Sequence, residues 1–136
     1  MSKQLHLEIV TPDRHLYSGE ADMVILRTTE GDMAVLYDHE PTVAPLAIGA
    51  IRIRLGEEEM VASCCSGFVN VNETQVTIIT DASEWAKDID RARAEASRDR
   101  AKQRVDRSSD KEIDELRAKA ALAKAINRIS IVEKYL

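Results

Sequence analysis

The sequence predicts an α+β protein: a domain of short β-strands followed by an α-helical hairpin. Two observations carry this. All 5 Gly and all 3 Pro lie at or before Gly67, so the rest of the 136-residue chain lacks both breakers of regular structure. Near Asp81 the apolar pattern also changes, from alternation to helical spacing. The domains expected are residues 1–80 and 81–136.

The strand signals run in order through the first domain. "LHLEIV" alternates around Leu5, Leu7 and Ile9. "DMVILRT" is apolar and β-branched, and stops at the turn signal "EGD". "MAVLY" is followed by "DHEP", another turn. "TVAPLAIG" precedes "AIRIRL", which alternates at Ile51, Ile53 and Leu55. "EMVASCC", "GFVNVN" and "QVTIIT" complete the set, with "GEEE" and "NET" as short polar connections. Short strands about 8 to 12 residues apart, separated by turn signals, fit a sandwich or a barrel.

In the second domain Asp81 and Glu84 have the spacing of a capping box, opening a helix to about Val105. "DRSSD" interrupts it. Ser109 and Glu112 then form a second box-like start, and another helix is expected from about Asp110 to Lys134. Ala, Lys, Arg and Glu dominate both, all good helix formers. The short break favours an antiparallel pair. The expected apolar stripes are Ala86, Ile89, Ala92 and Ala96 on the first helix, and Ile113, Leu116, Ala120 and Ala123 on the second. Alanine stripes give close approach but little adhesion, because burial scales with apolar area. A hairpin able to separate or re-dock and a permanently docked one both fit this pattern.

Charge is unevenly placed. Residues 1–80 carry 5 Lys and Arg against 12 Asp and Glu, and residues 81–136 carry 14 against 12. No one-sign basic field of the nucleic-acid type appears, so no nucleic-acid partner is expected. No stretch is apolar enough over about 20 residues to span a bilayer, and "MSKQLHLEIV" lacks a signal peptide's apolar run. Cys64 and Cys65 are adjacent and read as reduced strand residues. With His6, His15 and His39 they form no metal-ligand spacing, so no metal site is expected. No catalytic residues are assigned, and an enzymatic role is disfavoured.

The pattern Ile-Asp-x-x-Arg-Ala occurs twice, as "IDRARA" at 89–94 and "IDELRA" at 113–118. On a helix Ile89, Arg93 and Arg100 share one face, a basic stripe beside an apolar residue, flanked by Asp90. Such a surface suits a nucleotide: aliphatic groups for the ring, a carboxylate for its donors and forked arginines for phosphates. Ordinary surface salt-bridge patterning explains the same letters.

The front of the chain resembles the ATP synthase epsilon subunit family. The residues that carry the likeness are Val10–Asp13, Asp22–Val24, Glu30–Asp32, His39, Pro41, Val43–Leu46, Gly67, Phe68, Val76–Ile78 and Ala82. "KAINRISIVEKY" resembles the family's ending. The departures are Ala34 where Gly is common, Tyr37-Asp38 for Pro-Gly, and Ser66 for the first Gly of a Ser-Gly-Gly-Phe segment. The resemblance implies an N-terminal antiparallel β-sandwich of about ten strands followed by an antiparallel two-helix hairpin. It implies a non-catalytic central-stalk subunit of a proton-translocating (in some organisms sodium-driven) ATP synthase. This subunit couples gamma to the membrane c-ring, peripheral on the cytoplasmic face of a bacterial cell membrane. Glu30, Asp32 and His39 become candidates for the ring-facing loops.

In some bacterial members the folded hairpin binds ATP. The resemblance then implies an ATP set of Glu84, Ile89, Asp90, Arg93, Ala94, Arg100, Lys124 and Arg128, with ATP as a regulatory ligand and its magnesium requirement open. Lys124 stands where the family has an arginine, keeping the charge but losing the fork. Extended, the hairpin would reach the alpha/beta catalytic head and inhibit hydrolysis. Asp114 and Arg117 of "IDELRA" are expected to be helix-surface charges. The alternatives are a purely structural coupling subunit without a nucleotide site, and a small enzyme built on the same sandwich.

Overall fold

The computed structural model describes residues 3–107 and 112–136. The chain divides into two compact units, Met1–Trp85 and Ala86–Leu136.

The first unit holds seven strands: β1 Leu5–Val10, β2 His15–Ala21, β3 Met23–Thr28, β4 Gly31–Val35, β5 Thr42–Leu55, β6 Glu58–Val71 and β7 Gln75–Thr80. They form one sheet in the order β2-β1-β7-β6-β5-β3-β4. The number is seven, not about ten. "TVAPLAIG" and "AIRIRL" are the two halves of β5, and "EMVASCC" and "GFVNVN" those of β6, each strand 14 residues long. The edge strand β2 gave no signal, because little of it needs burial: only Ala21 is fully buried. The sheet is not wholly antiparallel either. β1 and β7 run parallel. They come from opposite ends of the unit, so no tight hairpin has to join them.

The long strands explain how one sheet makes two layers. Core residues on β5 are Leu46, then Ile51 and Ile53; on β6 they are Ala62 and Cys64, then Val69 and Val71. Both series switch between even and odd positions. Successive side chains point to opposite faces, so each strand presents its other face to the core halfway along. On β6 the change falls at Ser66 and Gly67, with φ of 61° and 118°. A Cβ on Gly67 would lie 2.0 Å from the carbonyl oxygen of Ile79, so only glycine fits there. The sheet thus encloses a single aliphatic core completed by Leu5, Leu7, Ile9, Val24, Leu26, Val35, Val76 and Ile78.

Cys64 and Cys65 are buried and form no disulfide among the described residues, as expected of reduced strand residues. Burial pushes the Cys64 thiol up to about 11, against a weaker opposing effect of its hydrogen bond with Thr80 Oγ1.

No helix starts at Asp81. The segment Ala82–Trp85 lies along β6 instead. Cys65 N–H donates to the Ala82 carbonyl (3.2 Å) and Ser63 N–H to that of Glu84 (2.8 Å). Trp85 forms a bridge with Ala62, and its ring meets Tyr17 edge-on at 6.0 Å. Backbone bonds to a sheet outcompete a capping box whose first residue is only Asp81.

In the second unit a single 3₁₀ turn, Ala86–Asp88, precedes α1, Arg91–Arg107, and α2, Glu112–Tyr135. Asp90 caps α1: its Oδ1 accepts the Arg93 N–H at 3.0 Å. The expected second capping box falls partly outside the described residues, at Ser109. The helices are antiparallel, since Arg91 at the start of α1 pairs with Glu133 near the end of α2 at 2.8 Å.

Of the expected stripe residues Ala86 and Ile89 are buried, but both precede α1, and the side chain of Ile113 lies outside the described residues. Along the helices the buried residues are Ala94 and Ala101 on α1, and Ala118, Ala125, Ile129 and Ile131 on α2. Ala92, Ala96, Ala120 and Ala123 are exposed, and Leu116 is 61% exposed. Ile89 precedes α1, so it cannot set that helix's phase. Alanines occur all round both helices, and the pair meets where small residues recur every seventh position.

Candidate functional site

The hairpin's charges are sorted by side. In an α-helix each residue turns about 100° from the last. In an antiparallel pair, the residues just before the buried positions of both helices therefore project to one side. Arg93 and Arg100 precede Ala94 and Ala101; Arg117, Lys124 and Arg128 precede Ala118, Ala125 and Ile129. Arg104 lies one turn beyond Arg100 on the same side. The opposite side carries the ion pairs Arg91–Glu95, Arg91–Glu133, Arg98–Asp99 and Lys119–Glu115. Arg91–Glu133 spans the two helices there, as the same geometry requires.

Four residues of the ATP set thus come together: Arg93, Arg100 and Lys124 are exposed, and Arg128 is half-buried. The Arg93 guanidinium and the Lys124 ammonium make no hydrogen bond or ion pair among the described residues. Arg100 donates to Ser97 Oγ at 3.1 Å. Arg93 and Arg128 lie near one level, and Arg100 and Lys124 about two turns along, roughly 10 Å away at 1.5 Å per residue. Paired cations at that spacing suit the phosphates of an extended anion.

The remaining members stand differently. Ile89 is buried and Ala94 has no exposed surface, so neither offers a platform to a ring in this conformation. Asp90 spends one carboxylate oxygen on the helix cap. Glu84 belongs to the first unit, where its N–H donates to Ser63 Oγ at 3.1 Å. In the second motif copy Arg117 is exposed and Ala118 buried. Asp114 sits inside α2, and its side chain lies outside the described residues. Among the described residues no three His, Cys, Asp or Glu side chains could together hold a metal.

The loop candidates lie on the first unit. Glu30 is exposed, and its N–H donates to Thr28 Oγ1 at 3.1 Å. Asp32 pairs with Arg27. A ring nitrogen of half-buried His39 lies 2.8 Å from the Glu40 carbonyl. Thr29 N–H donates to the Pro45 carbonyl and Asp38 N–H to that of Glu73. These bonds tie both loops to the sheet beside an apolar patch. Pro45 pairs with Phe68, and Phe68 with Ile79, across three strands. Phe68 and Ile79 are 45% and 41% exposed, and nearby Val43 is 70% exposed. Sequence reading missed this patch, because inward and outward strand positions are both apolar here. The signal was there in Val43 and Pro45, which flank the inward-facing Ala44.

No helix among the described residues is long and apolar enough to cross a membrane.

Residues 4–86 match the family model "ATP synthase, Delta/Epsilon chain, beta-sandwich domain", and residues 87–133 the "long alpha-helix domain" of the same chain. The ATP synthase epsilon chain of Halalkalibacterium halodurans is 40% identical over 127 residues, 93% of this chain and 96% of the relative. That of Alkaliphilus metalliredigens is 41% identical over 133 residues, 98% of each. A chain in the cryo-EM structure of the Euglena gracilis mitochondrial ATP synthase OSCP/F1/c-ring superposes with a TM-score of 0.80 at 25% identity. That match covers 91% of this chain and 78% of the other. Sheet, hairpin and both family models agree over nearly the whole length, and the chain belongs to the ATP synthase delta/epsilon chain family.

Proposed function

We propose that the chain is a non-catalytic rotor subunit of a proton-translocating ATP synthase. It couples gamma to the membrane c-ring, peripherally on the cytoplasmic face of a bacterial cell membrane. Its hairpin binds ATP when folded, and inhibits ATP hydrolysis when extended toward the alpha/beta head. The observation that carries the nucleotide part is the sorting of charge on the hairpin. Arg93, Arg100, Lys124 and Arg128 share a side, while the ion pairs Arg91–Glu95, Arg91–Glu133, Arg98–Asp99 and Lys119–Glu115 occupy the other. ATP would favour the folded state only by binding it better than the extended one. The exposed row of Pro45, Phe68 and Ile79 supports a protein partner on the sheet, with gamma the proposed occupant. Glu30, Asp32 and His39 are proposed to face the ring.

Titrating the chain with ATP tests the nucleotide reading. Saturable binding is expected, weakened about tenfold or more by Arg93→Ala, as for loss of one charge-assisted phosphate contact. Absence of binding by the wild type sinks it; unchanged affinity in Arg93→Ala removes that residue from the site.

One observation favours the purely structural alternative. Asp90 caps α1 and Ala94 packs the hairpin, which accounts for two letters of the motif without any ligand.

A further inference from the structure

The basic side of the hairpin runs further than a nucleotide needs. Beyond the levels of Arg93 with Arg128 and Arg100 with Lys124 lies a third, where Arg107 of α1 comes opposite Arg117 of α2, with Arg104 half-way to it. The Arg91–Glu133 pairing sets this alignment, because residues whose numbers sum to about the same value lie at one level of an antiparallel pair. Arg104, Arg107 and Arg117 are all exposed. None has a hydrogen-bonding or ionic side-chain partner among the described residues.

We propose that Arg104, Arg107 and Arg117 form a second anion subsite, continuing the first, so that the hairpin takes a linear phosphate polyanion longer than a triphosphate. This extends the nucleotide reading of the first two levels. Like charges three and four residues apart destabilise a helix by a few tenths of a kcal/mol each, and Arg100, Arg104 and Arg107 stand in that relation. On α1, Asp99 and Asp106 fall on the opposite side, where Asp99 is paired with Arg98; on α2, Asp114 is three residues before Arg117, and its side chain lies outside the described residues. The helix dipole favours bases in the last turn of α1, yet it has no preference for one side. A phosphate chain would relieve the repulsion at every level. Its anionic groups recur along its length, and guanidinium forks donate to them from several directions. The ladder from Arg93 to Arg107 spans roughly 20 Å at 1.5 Å per residue, beyond the reach of one triphosphate.

Calorimetric titration of the full chain with inorganic triphosphate, ATP and long-chain inorganic polyphosphate tests this. The variants are the triple change Arg104→Gln, Arg107→Gln, Arg117→Gln and its lysine counterpart, with circular dichroism to confirm folding. The glutamine variant should lose about tenfold or more in affinity for the long chain, and less than about twofold for triphosphate and ATP. The lysine variant, which keeps the charge, should recover most of the loss. Equal loss for short and long ligands, no loss, or no binding of the long chain overturns the proposal. The nucleotide reading is judged separately, by whether the wild type binds ATP.

Discussion

Ile51, Ile53 and Ile78 of the sandwich have no exposed surface, whereas most of the residues sealed along the hairpin are alanines. Burial contributes about 25 cal/mol per Å² of apolar area, so the two units are held on different terms. The sandwich rests on large side chains that fill one core and on backbone bonds that cross seven strands. The hairpin rests on close helix approach and a few ion pairs. A unit held by large buried side chains suits a part that must stay rigid. One held by alanines suits a part that changes partners at small cost.

Each unit should fail in its own way. Ile78→Ala should cost about 2 to 5 kcal/mol by leaving a cavity in the sandwich. Denaturation followed by the fluorescence of Trp85, the single tryptophan, reads this directly. An effect under about 1 kcal/mol would mean the core collapses around the gap.

Alkali should act next, and on the sandwich alone. The folded Cys64 thiol keeps its proton up to about 11, against an ordinary value of 9.0. Above that value the unfolded chain binds fewer protons than the folded one, so stability falls as pH rises from 9 to 11. The full effect is about 2 to 3 kcal/mol. Stability against pH for wild type and Cys64→Ala should differ in slope over that window and nowhere else. Matching slopes would remove the thiol from the account.

For the hairpin, adding atoms should hurt more than removing them. Ala101→Leu forces the helices apart and should cost about 1 to 3 kcal/mol. Helical circular dichroism should melt earlier while Trp85 fluorescence keeps its midpoint. A higher helical midpoint would show that α1 and α2 have room between them.

Asp90→Ala removes a cap and should cost about 1 kcal/mol of helix stability without any nucleotide present. Asp114→Ala, inside α2, should change little, within about 0.5 kcal/mol. Equal effects would deny that the two motif copies differ in role.

The smallest effect should be a gain. Asp38 and Ser66 are the non-glycine residues with positive φ among the described ones. Left-handed backbone costs an L-residue about 1 to 2 kcal/mol. Ser66 recovers part of that through its hydroxyl, which lies 3.0 Å from Asp81 Oδ2. Ser66→Gly should therefore stabilise the sandwich by less than about 1 kcal/mol, seen as a raised Trp85 midpoint. A loss would put the hydroxyl's bonds above the strain.

Much of the sandwich was legible. Leu5, Leu7 and Ile9 alternate because one side of β1 is buried, and alternation needs no knowledge of partners. β2 was not legible, since an edge strand needs no apolar pattern. The helices were legible in existence but not in phase. Of the site, the basic residues of α1 could be placed on one side by spacing alone. That Lys124 and Arg128 of α2 join them depends on how the two helices face each other.

By itself, then, the sequence determined the two architectures, their order, the aliphatic core and the residue types available for an anion. These follow from local periodicity and composition, which each segment carries within itself. Tertiary structure decided that β5 and β6 are single long strands, that Ala82–Trp85 joins the sheet, that Asp90 is a cap, and which alanines meet. Each of these is a choice between partners of similar local merit, and only the geometry of the assembled chain breaks the tie.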